Sequence, residues 1–477
     1  MSLKIATLDN NCITLSDQLL EAFFRQLHGV VIREGDPEYE RSRRVWNGMI
    51  DRHPAMIVRC AGTSDVMATV NFARAHNLRV SVRGGGHNVA GKAVCDRGMV
   101  IDLGLMNSVW VDHEVPSIRV QAGARLADVD EKTRPLGLAV PVGVVSRTGI
   151  GGLTLHGGLG WLLRRDGLTV DNLLALDVVT ADGKLVRTSA TEHADLFWAL
   201  RGGGGNFGVV TSFEYRLRPI ASKVWFAAVL YPYTHAQEAI TFWRDFMATA
   251  PEELSSFCVL RGRPMQAAGQ KIPRQPVVAF LACYSGPFEQ GEEAIRPLRE
   301  WSTPIADFSG PKDFHLQVQR LFDKDYPEGR CYYWDSLFFD DLDASTIKHI
   351  TELAEHSASP LSSVNIWALG GAMNHVAASE TAFGKRDCKF MMAVEANWEN
   401  AKDAPANMAW AAGLIDALRP VSRAGVYLNF PGAAAGESHL VKGSYDGNFA
   451  KLQEIKKRYD PDNMWRGNFN ILPECDA

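Results

Sequence analysis

Residues 81–91 read SVRGGGHNVAG. Three consecutive glycines, Gly84, Gly85 and Gly86, follow Arg83 and lead directly into His87 and Asn88. A flexible linker does not end in an imidazole, and the preceding LRVSV (78–82) has the character of a strand. Three residues without Cβ let backbone N–H groups converge on an anion at close range. Arg83 would add a fixed positive charge, so the turn is expected to seat a diphosphate with a nitrogen nucleophile, His87, beside it.

Working outward, PAMIVRC (54–60) is a buried strand, Thr63-Ser64-Asp65 offers a helix N-cap, and VMATVNFARAH continues the helix. With LRVSV this makes a β-α-β unit whose second strand ends at the glycine run. GMVIDLGLMNSVWVD and IRVQAGA add strands. LADVDEKTRPLGLAV is predicted to be a helix that stops at Pro135-Leu136-Gly137, and the strands flanking Ala181-Asp182-Gly183 a hairpin. Glycine clusters occur again at 149–160 and 202–208 and disappear after about Pro219. There long amphipathic helices alternate with strands (AQEAITFWRDFM, VVAFLACYSG, EEAIRPLREW, KFMMAVEANW). Near 425 the texture changes again, through VYLNFPG and the helix FAKLQEIKKRY to DPDNMWRGNFNI. The expected organisation is residues 1–218 as one domain, 219–422 as a second, and 423–477 as a return to the first.

The chain has 477 residues, 46% apolar and 22% charged, with a formal net charge of −5. No basic block stands out, which argues against a nucleic-acid or anionic-membrane partner. No apolar run is long enough for a membrane span. The eight cysteines lack metal-ligand spacing, and there is no Asn-x-Ser/Thr sequon. Free buried thiols, no metal and a reducing cytoplasm are therefore expected. Gly203–Gly208 matches GxGxxG, but a helix (DLFWALRG) precedes it and a strand (VVTSFEYRL) follows. A Rossmann dinucleotide turn requires the opposite order, so the match is read as a helix-to-strand turn, with approach to a different dinucleotide left open.

Five motifs in order, RGGGHN, GVVSRTGIGGLTLHGGLGWLLRRDGLTVDN, WALRGGGGNFGVVT, YLNF and RYDPDNMWRGNFNI, resemble the berberine-bridge-enzyme-like oxidases of the vanillyl-alcohol-oxidase superfamily. The resemblance implies an α+β, two-domain PCMH-type FAD-binding fold, with an antiparallel-sheet substrate domain backed by helices. It implies FAD bonded through His87. The family's second, cysteinyl link would fall at Val145, and no cysteine lies between Cys95 and Cys258, so a mono-covalent flavin is expected. It further implies cofactor contacts from Arg83 to Asn88, from Gly143, Val145, Ser146, Thr148, Gly149, Gly152 and Gly158, from Gly208 and Val210, and from Asn468 and Asn470.

A flavin oxidase passes a hydride to the flavin and needs a group for the accompanying proton. Tyr427 and Asn429 match the family's Tyr-x-Asn motif. Read as a strand, VYLNF puts both side chains on one side, Tyr427 as base or orienter and Asn429 as its support. An ordinary packed aromatic is the alternative. A tyrosine phenol titrates near pH 10, so a base role needs a nearby cation or hydrogen bonds. Tyr332, Trp334 and Trp367 either wall a pocket or pack a core, and His156 stands where relatives usually have glycine. The expected activity is oxidation of a small alcohol, amine, sugar or natural-product intermediate, with O2 as acceptor. A dehydrogenase or reductase with another acceptor, or a flavoprotein without turnover, are the alternatives.

Overall fold

The computed structural model describes residues 2–112, 114–262, 275–431 and 438–474. Strands Val30–Arg33, Met56–Arg59, Met99–Asp102 and Val80–Arg83 lie side by side in that order. The first pair is antiparallel and the other two parallel. The parallel pairs follow from the β-α-β connection through helix Thr63–Ala75, since parallel neighbours need a crossover. The helix N-cap is Gly62, not a residue of the Thr63-Ser64-Asp65 trio. Asp65, three residues past Gly62, accepts the backbone N–H groups of His28, Gly29 and Ala61 at 2.8–2.9 Å.

A second, wholly antiparallel sheet has the order Leu185–Ser189, Leu173–Val179, Val209–Arg216, Ser117–Gln121, Val109–Asp112. The third runs Ala306–Asp307, Lys223–Pro232, Val277–Tyr284, Leu254–Arg261, Ser363–Ala368, Phe390–Trp398, Cys331–Phe339, with Gly310–Asp313 as a further partner of Lys223–Pro232. All its pairs are antiparallel.

The long strands of this third sheet are buried on both faces, and strand alternation sorts their residues. Cys258, Ile366, Val394 and Phe339 pack with Trp243, Ile347 and Leu414 from helices Ala236–Thr249, Ala344–Glu355 and Ala404–Leu418. The intervening Phe257, Trp367, Ala393 and Trp334 share a core with the two smaller sheets. Helical backing on one side leaves the other side as a wall facing the glycine-rich segments.

The C-terminal tail is tied to the turn at 202–208. Helix Phe449–Tyr459 carries Lys456, whose buried ammonium donates to the Asn206 carbonyl at 2.8 Å and pairs with Asp460 at 2.5 Å. The Asn206 amide donates to the Phe469 carbonyl, and its oxygen accepts the Ile471 N–H. Helix Ala194–Leu200 precedes that turn and strand Val209–Arg216 follows it, the reverse of a Rossmann turn.

Candidate active site

The glycine run closes backbone against backbone. A Cβ on Gly85 would lie 2.5 Å from the Gly149 Cα, so only glycine permits the two glycine-rich segments to touch there. Arg83 does not supply a free charge. The parallel register sets it opposite Asp102, and its guanidinium bonds the Asp102 carboxylate at 2.6 Å and the Ser42 carbonyl. The sequence reading missed this because partner and register are both remote. The cation that lines the cavity is Lys92, with its ammonium 5.2 Å from the Phe469 ring centre and no ion pair among the described residues. Burial lowers its pKa, as expected of an ammonium taken from water without a counter-ion.

His87 stacks on Trp46 at 4.3 Å, and Trp46 stacks in turn on Tyr332 at 3.7 Å. Tyr332 thus supports this stack without lining the cavity. Burial, with Arg125 and Arg147 nearby, pushes the His87 pKa down to about 3, so the imidazole is neutral. Its Nε2 is enclosed and has no hydrogen-bond partner. A buried orphan nitrogen is rare and calls for an explanation.

Residues 426–430 form a turn, not the expected strand, closed by the Phe430 N–H on the Tyr427 carbonyl at 2.8 Å. Tyr427 and Asn429 meet nonetheless. The Asn429 amide donates to the Tyr427 hydroxyl at 2.9 Å and to the Leu153 carbonyl at 3.0 Å. The Gly158 and Leu159 N–H groups reach the same hydroxyl at 3.2 and 3.1 Å. Three donors on one oxygen favour the phenolate, yet burial outweighs them and the pKa remains above the ordinary tyrosine value. At neutral pH the phenol therefore holds its proton, and its acceptor capacity is filled by the protein. Among the described residues no cation assists it.

His156 turns inward. It lines the cavity edge-on to Phe469, 5.9 Å away. A Cβ on Gly204, which has φ +72°, would sit 2.3 Å from its Nε2. That nitrogen also lacks a partner, and burial lowers the His156 pKa to about 4.

These groups face one shared cavity between the glycine-rich segments and the third sheet. Gly84, Gly85, Gly86, His87, Asn88, Gly143, Val145, Thr148, Gly149, Gly152, Tyr427, Asn429 and Asn468 line it. Arg83, Ser146, Gly158, Gly208, Val210 and Asn470 do not. Ser146 is engaged by Asp323, which accepts its N–H at 2.9 Å and its hydroxyl at 2.6 Å. Gly158 acts through its N–H on Tyr427. Gly208 and Val210 are buried in the second sheet and its approach. Asn470 has an unpartnered buried oxygen, and Asn468 donates to the Gly205 carbonyl at 2.8 Å.

The opposing wall is the third sheet. Trp334 faces Glu395 in register, and Asn365 and Trp367 continue the same face. Phe257 stacks on Trp367 at 3.9 Å. The sequence reading missed Glu395. Burial raises its carboxyl to about 7, and Tyr326 donates to it at 2.5 Å. A lone acid in KFMMAVEANW, whose strand is apolar from Phe390 to Val394, was the available signal.

Residues 54–189 match the model of the FAD binding domain, and residues 426–472 match the berberine and berberine-like model. The chain carries the FAD-binding and berberine-like domains found in FAD-linked oxidoreductases. An FAD-linked oxidoreductase of Dictyostelium discoideum is 29% identical to this oxidoreductase over 461 residues, 96% of this chain and 97% of the relative. The (R)-6-hydroxynicotine oxidase of Paenarthrobacter nicotinovorans is 29% identical over 464 residues, 94% and 97% of the two chains. A chitooligosaccharide oxidase structure superposes with a TM-score of 0.84 at 22% identity, over 96% of this chain and all of that one, which shows the fold. The enzyme thus has the PCMH-type α+β fold. FAD fits the residues present, since a bare glycine cradle, one unpaired ammonium and two orphaned imidazole nitrogens face one cavity.

No group of three or more potential metal ligands occurs among the described residues. The seven described cysteines are free, and Cys475 lies outside the described residues. No described helix is long and apolar enough to cross a membrane.

Proposed function

We propose that the enzyme oxidises a small organic molecule, with FAD attached through His87 alone and O2 as the acceptor. The single observation carrying the attachment is the neutral His87 imidazole, whose enclosed Nε2 has no protein partner. A neutral imidazole nitrogen is a competent nucleophile when held in place, and stacking on Trp46 holds it. Val145 lines the cavity where a second, cysteinyl link would arise. Residues 1–218 and 423–477 would then form the cofactor domain, and 219–422 the substrate wall.

The bound flavin supplies the two-electron acceptor. Tyr427, as a neutral phenol pinned by three donors, presents its own O–H to a substrate heteroatom and orients it. Lys92 and the glycine turn hold the diphosphate, while Asn468 and His156 close the cavity beside Phe469. The helix-to-strand order around Gly203–Gly208 argues against reduction by a nicotinamide nucleotide.

Acid precipitation followed by peptide mapping tests the linkage: flavin should travel with the single tryptic peptide containing His87. Flavin on a cysteine peptide, or released by acid, overturns it. Oxygen consumption matched by peroxide formation supports O2 as acceptor, and rapid bleaching by NADH would point to the reductase alternative.

A further inference from the structure

Resting on the assignment of this cavity to substrate oxidation, we propose that its sheet wall selects an organic cation, an aromatic compound bearing a positively charged nitrogen, with Glu395 as counter-ion and Trp334, Trp367 and Tyr326 as walls. Glu395 is 4% exposed and lines the cavity. Among the described residues it forms no ion pair. The groups facing it are Tyr326 and Asn365, which hydrogen-bond it, and the charges of Arg261 and Asp325. Arg261 and Asp325 pair with each other at 3.4 Å, so Glu395 is the uncompensated charge of the cluster. A buried carboxylate without a counter-ion is costly unless something completes it.

The surroundings fit a cation. Trp334 stands edge-on to Tyr326 at 5.3 Å and to Phe430 at 5.5 Å. Electron-rich ring faces attract ammonium groups, and more so when desolvated. Phe430 also meets Tyr427 at 5.0 Å, edge-on. Trp334 and Phe430 thus connect the proposed charge site to the Tyr427 ring within one aromatic wall.

The test compares benzyltrimethylammonium with its neutral carbon isostere, neopentylbenzene, on the flavin-loaded enzyme. Dissociation constants are read from the flavin absorbance change and from the thermal midpoint. The probe's charge is permanent, so pH dependence reports the protein alone. At pH 8.5 the cation should bind at least tenfold more tightly than the isostere. The ratio should shrink towards one by pH 5.5, because protonating Glu395 removes the counter-ion. Glu395→Gln should give a small, pH-independent ratio. Each ratio is taken within one protein, so a modest loss of stability does not confuse it. Equal binding of the two probes at pH 8.5, or an unchanged ratio in Glu395→Gln, overturns the proposal. Those outcomes with flavin still on the His87 peptide reject the cation site alone. Loss of flavin from that peptide rejects the linkage, while the thermal ratios still report on Glu395.

Discussion

The Asn429 side-chain amide lies 2.9 Å from the Tyr427 hydroxyl and so completes a cradle begun by the backbone N–H groups of Gly158 and Leu159. Tyr427→Phe keeps the ring but strands all three donors. Flavin reduction in anaerobic single turnover should slow by about tenfold, the scale of one lost hydrogen bond that orients the substrate. Unmet buried donors should also lower stability by about 1–3 kcal/mol. Flavin content should not change. Wild-type reduction rates in Tyr427→Phe would remove the hydroxyl from the chemistry.

His87→Ala should leave FAD bound but removable by acid, with the fold intact, because His87 contributes a stack on Trp46 and no hydrogen bond from its Nε2. In that background, adding Lys92→Met should weaken FAD about tenfold or more, the scale of one charge-assisted hydrogen bond. Fluorescence of released flavin measures it. Unaltered retention would mean that Lys92 does not meet the diphosphate.

How far the sequence could be read depended on the range of the interactions. The glycine run, the β-α-β unit and the helix-then-strand order around Gly203–Gly208 are local and were legible. The meeting of Tyr427 with Asn429 was expected, though from a strand; a turn achieves it, because Gly158, Leu159 and Leu153 supply partners from 270 residues or so away in sequence. The Arg83–Asp102 pair depends on parallel register. Glu395 faces the cavity only because the pairing with Ser363–Ala368 and Cys331–Phe339 fixes which side of Phe390–Trp398 is covered by helices. Lys92 is one lysine among many until Phe469 packs beside it.

Arg386 forms a two-pronged pair with Asp171, at 2.7 and 2.8 Å, and both side chains are buried. Asp171 also accepts the Leu168 N–H at 2.9 Å, in the segment that follows Gly158 and Leu159. Arg386→Met leaves a buried carboxylate unpaired and should cost about 3–5 kcal/mol. Denaturant unfolding reads the loss, and a change under about 1 kcal/mol would show that water reaches Asp171. Replacing both residues, Arg386→Met with Asp171→Asn, should recover part of it.

Asp130, in helix Leu126–Thr133, is 2% exposed, with no short hydrogen bond to either carboxylate oxygen and the Gln319 side chain as a weakly placed donor nearby. Burial, with the Asp323 charge nearby, pushes its pKa up to about 8, while the Arg320 guanidinium opposes the shift. The folded protein therefore keeps this proton from about pH 4, where the unfolded chain releases it, up to about pH 8. Over that window the folded state binds more protons than the unfolded one, so stability falls as pH rises, by at most about 1.4 kcal/mol per pH unit for one proton. Asp130→Asn has no proton to lose. Its stability relative to wild type should improve from pH 5 to pH 8, and thermal midpoints at the two values measure the difference. An equal effect at both would mean that Asp130 ionises normally in the fold. Asp323 holds the Ser146 N–H and hydroxyl. The same substitution should therefore leave the 143–149 segment, and with it flavin content, unchanged at either pH.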